Sequence, residues 1–172
     1  MKNIITLLLT LSIATGLAAQ SGWKDIQKEN YKMSYPASYS LDESGSMGTK
    51  FILFSAAEPG KAEDFRENVN LIVQEVAPSE MDLQAIIQST ESSIEKLLGN
   101  SKIISSQVKY NHNGEYYELV YTGDMGKLQL HWIQCLYYKS GQLYIVTFTA
   151  EANTIANFEE EARKILGTFE IL

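Results

Sequence analysis

Cysteine is almost absent from this 172-residue chain, and the scarcity excludes a good deal. A single Cys, at position 135, cannot close an intramolecular disulfide, so there is no staple framework and no paired-cysteine zinc motif. In an apolar strand, Cys135 is expected as a buried, unpaired thiol. Histidine is nearly as rare, with only His112 and His131, so a nucleophile has two imidazole bases to draw on at most. No His-Glu-x-x-His segment, EF-hand loop or glycine-rich phosphate loop is present. Basic residues are outnumbered, 14 Lys and Arg against 21 Asp and Glu. The resulting charge of −7 argues against nucleic acid and anionic membrane surfaces as partners, because both need a basic face that releases counterions. Proline occurs three times, at Pro36, Pro59 and Pro78, each where a periodic segment stops. With no repeat and no Pro/Ser-rich linker, a single domain is expected.

No apolar run long enough to span a bilayer is present either. The stretch from Ile4 to Ala14 is broken by Thr6, Thr10 and Ser12 and falls short of the roughly 20 apolar residues a spanning helix needs. With Lys2 before it and Gly16, Leu17, Ala18 and Ala19 after it, it reads as a secretory signal peptide over residues 1–19. Cleavage is expected between Ala19 and Gln20, with the Ala18/Ala19 bond as second choice. Neither leaves the N-terminal Cys that a lipoprotein anchor requires, so residues 20–172 are expected free in the periplasm or outside the cell. Losing Lys2 and no acidic residue takes the formal charge from −7 to −8.

Two segments carry helical periodicity. Between Ser79 and Gly99, Leu83, Ile86, Ile87, Ile94, Leu97 and Leu98 recur on one face, Ser79 and Asp82 resemble a capping box, and Gly99 stands where a left-handed C-terminal residue is wanted. Near the C-terminus Ile155, Phe158, Ala162, Ile165, Leu166 and Phe169 share a face, with Asn153 or Thr154 as cap and Gly167 as stop. Glu159 and Arg163, and Glu160 and Lys164, are spaced for i,i+4 pairs. Residues 102–150 alternate with the period of a strand and are cut by Asn113-Gly114, Asp124-Met125-Gly126 and Ser140-Gly141, which predicts a four-strand antiparallel meander. Lys50 to Ser55 and Val69 to Val76 read as two more strands, separated by a polar loop through Pro59, Gly60 and Asp64. Trp23 to Ile26 and Tyr31 to Tyr35 read as a hairpin leading into Pro36. From Leu128 to Tyr138 one face presents Leu128, Leu130, Trp132, Leu136 and Tyr138, while the other presents Ile133, Cys135 and Tyr137. Neither face is polar, so both must be covered, and the two helices are the available covers. The expected fold class is α+β, an antiparallel sheet sandwiched by helices.

The order of these elements resembles a known family. Tyr35-Pro36 closing an aromatic hairpin, a strand, Glu67-Asn68-Val69-Asn70-Leu71-Ile72-Val73, a helix, a meander, the strand Leu143 to Ala150 and a final helix are similar to the PsbP-like superfamily, in particular its exported bacterial DcrB-like branch. The resemblance implies an α/β/α sandwich and a role as an accessory or binding protein. It carries over no catalytic residue and no metal ligands.

The residues themselves offer little chemistry. His131 and Cys135 share a strand face but lie about 13 Å apart, too far for a dyad or for one metal. His112, beside the Asn113-Gly114 turn, is expected to be solvated. Ser44-Gly45-Ser46-Met47-Gly48 has the outline of a nucleophile elbow but carries Ser where the first Gly is required, and reads as a flexible loop. Glu159-Glu160-Glu161 is expected on the exposed face of the last helix, near its positive end. Ten tyrosines are too many to bury completely, and an exposed group of them would mark a partner surface. The expectation is therefore a chain with no catalytic, metal-binding or cofactor-binding residue, acting on a protein or envelope partner. The alternative is a carrier of a small apolar ligand held between sheet and helix.

Overall fold

Branched and aromatic residues at alternate positions favour extended chain that buries one or both faces, and here they build ten strands among the described residues. The computed structural model describes residues 22–57, 65–77 and 83–172. The segment read as a signal peptide, the loop through Pro59, Gly60 and Asp64, Pro78, and the expected Ser79–Asp82 capping box lie outside the described residues. In chain order the elements are β1 (Trp23–Gln27), β2 (Tyr31–Pro36), β3 (Ser40–Asp42), β4 (Phe51–Phe54), β5 (Asn68–Glu75), α1 (Leu83–Leu97), β6 (Gly99–Asn111), β7 (Gly114–Met125), β8 (Leu128–Lys139), β9 (Gln142–Glu151), α2 (Ile155–Gly167) and β10 (Glu170–Ile171).

Seven strands form one antiparallel sheet in the order β3-β4-β5-β9-β8-β7-β6, and β1, β2 and β10 form a second, smaller one. The meander is present as expected, and each connection has the backbone its turn demands. Ser140 and Gly141 both take positive φ, the two-residue turn whose twist matches the flanking strands. The turn between β7 and β8 is Gly126-Lys127, one residue later than the sequence signal, with Gly126 supplying the positive φ.

Both faces of the large sheet are apolar and both are covered. On one, Ile87 and Ile94 of α1 pack over Leu119, Tyr121, Leu130, Trp132 and Leu136. On the other, Ala162, Ile165 and Leu166 of α2 join Met33 and Tyr35 of β2 above Ile133, Cys135, Val146 and Phe148. The helices lie on opposite faces, which confirms the α+β sandwich. The second face, however, is shared between α2 and the small sheet. Sequence reading missed β3 and β10 because three and two residues are too short to show a period.

Several local expectations are corrected. Gly99 does not take a left-handed conformation; it opens β6, and Asn100 has the positive φ. Leu97, placed by periodicity on the buried face of α1, is 81% exposed. Gly167 is the last residue of α2, and Thr168 ends the helix instead, its Oγ1 accepting the Ser34 amide at 3.0 Å.

Gly123 of β7 shows how closely α1 meets the sheet. A Cβ at this position would stand 2.9 Å from Leu98 Cβ and 3.1 Å from Leu98 Cδ1, so only glycine lets the end of α1 settle there. Gly123→Ala should therefore lower unfolding free energy by about 1–3 kcal/mol. Gly167→Ala, whose Cβ meets nothing within 4 Å, should be neutral or mildly stabilising. Urea denaturation of both variants checks this; equal effects would show that α1 is not seated against β7 at Gly123.

Candidate functional site

A charge in the middle of a buried strand must be paired or it costs several kcal/mol, and β7 carries one. Glu118 is 4% exposed, flanked in sequence by Tyr117 and Leu119, and faces α2. Lys109 on β6 donates from Nζ to its Oε1 at 2.7 Å, and Arg163 on α2 reaches its Oε2 from Nη1 at 3.3 Å. Arg163 also pairs with Glu159 at 2.9 Å, the expected i,i+4 contact. A cavity of about 140 Å³ opens beside this cluster, walled by Lys109, Asn111, Tyr116, Glu118, Cys135 and Tyr137. Tyr116 and Tyr137 stack with centroids 4.9 Å apart, and Asn111 Nδ2 donates to the Tyr137 hydroxyl at 3.3 Å.

The electrostatics of this cluster argue against nucleophilic chemistry. Burial pushes the Cys135 thiol up to about 12, with the Glu118 charge adding to the rise, so the sulfur is protonated and inert at neutral pH. Burial also raises the hydroxyls of Tyr116 and Tyr137 above the ordinary phenol value. Glu118, the one carboxylate in the cavity wall, is held by two cations. The thiol thus has no free base beside it, and the ion cluster pins α2 to the sheet. Sequence reading passed over Glu118; its signal was a lone acid within the apolar run Tyr116 to Tyr121.

The other candidates fall apart as chemistry. His131 and Cys135 both face α2, but His131 stands opposite Ala150 and Cys135 opposite Val146, four residues along the same strand. The His131 Nε2 is buried without a hydrogen-bond partner, and burial lowers its pKa, so the ring is neutral at pH 7. His112 is exposed, as expected, and its Nε2 also donates to the Phe169 carbonyl at 3.0 Å, beside Asn113 Nδ2 at 2.8 Å. Ser44 to Gly48 forms a turn with a 3-10 segment, its Ser46 amide donating to Ser44 Oγ at 3.3 Å, and among the described residues neither histidine is one of its partners. Glu161 departs from the exposed-face reading, since the Tyr39 hydroxyl donates to it at 2.9 Å. Among the described residues, no group of three or more His, Cys, Asp and Glu could hold a metal ion.

The tyrosines do not form a surface patch. Tyr31, Tyr35, Tyr39, Tyr117, Tyr121, Tyr137 and Tyr144 are buried, Tyr116 and Tyr138 are half-buried, and Tyr110 alone is exposed. The apolar surface lies elsewhere. At the C-terminal half of α1 a groove of about 230 Å³, open to solvent, has the stacked pair Tyr121 and Trp132 in its wall, centroids 5.0 Å apart. Leu97 stands at its rim with Met125, 55% exposed, at the end of β7.

A family model described as PsbP matches residues 22–171. Among solved structures, the chain is similar to cyanobacterial PsbP (CyanoP) from Synechocystis sp. PCC 6803, at 13% identity over 91% of this chain and 96% of that one, with a TM-score of 0.65. It is similar to LpqN, involved in cell envelope biogenesis of Mycobacterium tuberculosis, at 10% identity over 87% and 91%, TM-score 0.64. It is also similar to PA94 from Pseudomonas aeruginosa, a protein of unknown function, at 12% identity over 85% and 94%, TM-score 0.58. These likenesses are of fold alone. No curated protein matches the chain.

The state of Cys135 is directly measurable. A thiol whose pKa rises from 9.0 to about 12 on folding contributes stability that is full below pH 9 and is lost as the pH climbs toward 12. In native protein at pH 8, Cys135 should resist Ellman's reagent for hours and react stoichiometrically once urea unfolds the chain. Rapid reaction in the native state would show that the thiol is accessible and activated.

Proposed function

Since residues 22–171 match its model, the chain belongs to the PsbP family, and from that premise we propose that it is an exported, non-catalytic accessory domain that binds a protein or another component of the cell envelope. The observation that carries this reading is the groove beside α1. Leu97 and Met125 project into solvent above a buried floor of Tyr121 and Trp132, an exposed apolar patch over a groove of the kind that marks a partner or ligand surface. The buried polar cluster around Glu118 supports a non-catalytic role, because its thiol is protonated and its carboxylate paired. Export rests on the signal-peptide reading of residues 1–19, with residues 20–172 as the mature domain. No helix among the described residues is long and apolar enough to cross a membrane. The envelope role of LpqN, a protein of similar fold, supports the same setting.

A carrier of a small apolar ligand is the second reading, and the same groove favours it, being walled largely by Ile94, Leu97, Leu98, Tyr121 and Trp132. It ranks second because the groove is open and smaller than the roughly 300–1,000 Å³ of pockets that enclose organic ligands.

Crosslinking with mass spectrometry on the protein isolated from its native envelope separates the two. Lys96 adjoins Leu97 in sequence and Lys127 lies two residues past Met125, so a partner bound at the groove should crosslink to them, and Leu97→Glu with Met125→Glu should remove those crosslinks without unfolding the chain. Unchanged crosslinks in the double variant would refute a partner at this groove. An apolar compound recovered from the purified protein, quenching Trp132 on rebinding, would establish the carrier instead.

A further inference from the structure

The two edges of the large sheet differ greatly: β3 offers three residues, whereas β6 offers thirteen. A long open edge is a template for another strand, and proteins usually blunt it. The first half of β6 is blunted, by register shifts between Gly99 and Lys102 and between Ile103 and Ser105. From Ser105 to Asn111 the register with β7 is unbroken.

The direction of the backbone groups follows from the hairpins. Met125 and Leu128 close the two-residue turn between β7 and β8, so they are a hydrogen-bonded pair, and every second residue of β7 back to Tyr117 points its amide at β8. Tyr116, Glu118 and Val120 then point at β6, where they meet Lys109, Gln107 and Ser105. Ser106, Val108 and Tyr110 are left directing N–H and C=O outward. Among the described residues, no backbone hydrogen bond outside the sheet ladders takes up these groups. Val108 and Tyr110 also expose apolar side chains at this edge, 47% and 73% respectively.

We propose that this edge is an interface between two copies of the chain, with β6 pairing antiparallel to β6 across a two-fold axis at Val108. That register alone uses the full unbroken length from Ser105 to Asn111. It sets Val108 against the partner's Val108, Ser106 against the partner's Tyr110, and Gln107 against the partner's Lys109. Moving the axis to Ser106 runs the ladder into the bulge at Ile103; moving it to Lys109 opposes two lysines. The charge pattern favours a second copy. The chain has 21 acidic residues, yet none of the thirteen in β6 is Asp or Glu, so two acidic molecules meet there without opposing carboxylates on the paired strands. An isologous contact needs this self-complementarity and no other partner. The interface is separate from the α1 groove and stands or falls independently of the partner proposed there.

The test uses single cysteines in the otherwise intact mature protein with Cys135 replaced by Ala. At the axis the two Cα atoms of a hydrogen-bonded pair lie about 5.5 Å apart, within disulfide range. Val108→Cys should therefore form a disulfide dimer under mild oxidation at least roughly tenfold faster than Ser106→Cys or Tyr110→Cys, whose symmetry mates stand about 13 Å away. Sedimentation of the chain with its native β6 should show a dimer at about 100 μM that Val108→Lys converts to monomer. A monomer at that concentration, or faster crosslinking at Ser106 or Tyr110, overturns the proposal. Protection of the outward amides appearing only when envelope extract is added also overturns it, in favour of a foreign strand.

Discussion

Everything on the second face of the sheet closes around one ring. Phe169, fully buried, lies between α2 and β10, with Tyr31, Tyr137 and Tyr144 around it at centroid distances of 6.2, 5.5 and 6.1 Å. Those three tyrosines come from the small sheet, β8 and β9. The Phe169 carbonyl accepts from both His112 and Asn113 at the tip of the β6–β7 hairpin, and Asn113 Oδ1 accepts the Ile171 amide at 2.9 Å. A sheet with two apolar faces cannot leave either to water. One helix covers the first face, but the second is too broad for α2 alone, and Phe169 is where its two covers, α2 and the small sheet, lock together.

The same demand explains the buried ions. An acid at position 118 faces a layer that is otherwise apolar, and its burial is offset by one cation from the neighbouring strand and one from the covering helix. Such a cluster contributes little net stability compared with apolar packing, but removing one member strands the others. Arg163 thereby fixes how α2 sits over β7 and β8. The small cavity beside it follows from fitting charged side chains between layers, and its chemistry, a protonated thiol and a clamped carboxylate, suits a joint better than a reaction centre.

Much of the large sheet was legible in the sequence because its signals are local. Gly126 and Ser140-Gly141 are turn chemistry, and the alternation from Leu128 to Tyr138 correctly divided Leu130, Trp132 and Leu136 from Ile133, Cys135 and Tyr137. Failures came where tertiary contacts decide. The partners of β10 and β2 lie more than a hundred residues apart, joined through Glu170 to Lys32 and Ile171 to Tyr31, and no window of sequence shows that. Glu161 looked like surface because its partner, Tyr39, is distant in the chain; His112 is exposed as expected, and only its bond to the Phe169 carbonyl was hidden by chain distance. Leu97 has the spacing of a core residue but is exposed, while the next residue, Leu98, makes the contact with Gly123 of β7. The Glu118 cluster draws on two strands and a helix, so its lone acid gave a hint without naming either cation.

Phe169 offers the most direct measurement. With Phe169→Ala, hydrogen exchange followed by mass spectrometry should show β1, β2, β10 and α2 losing protection together, while α1 and strands β7 and β8 keep theirs, alongside a global loss of about 3–5 kcal/mol in urea. A loss below about 1 kcal/mol, or deprotection confined to β10 with α2 and β2 unchanged, would contradict the claim that one ring joins the two covers of that face.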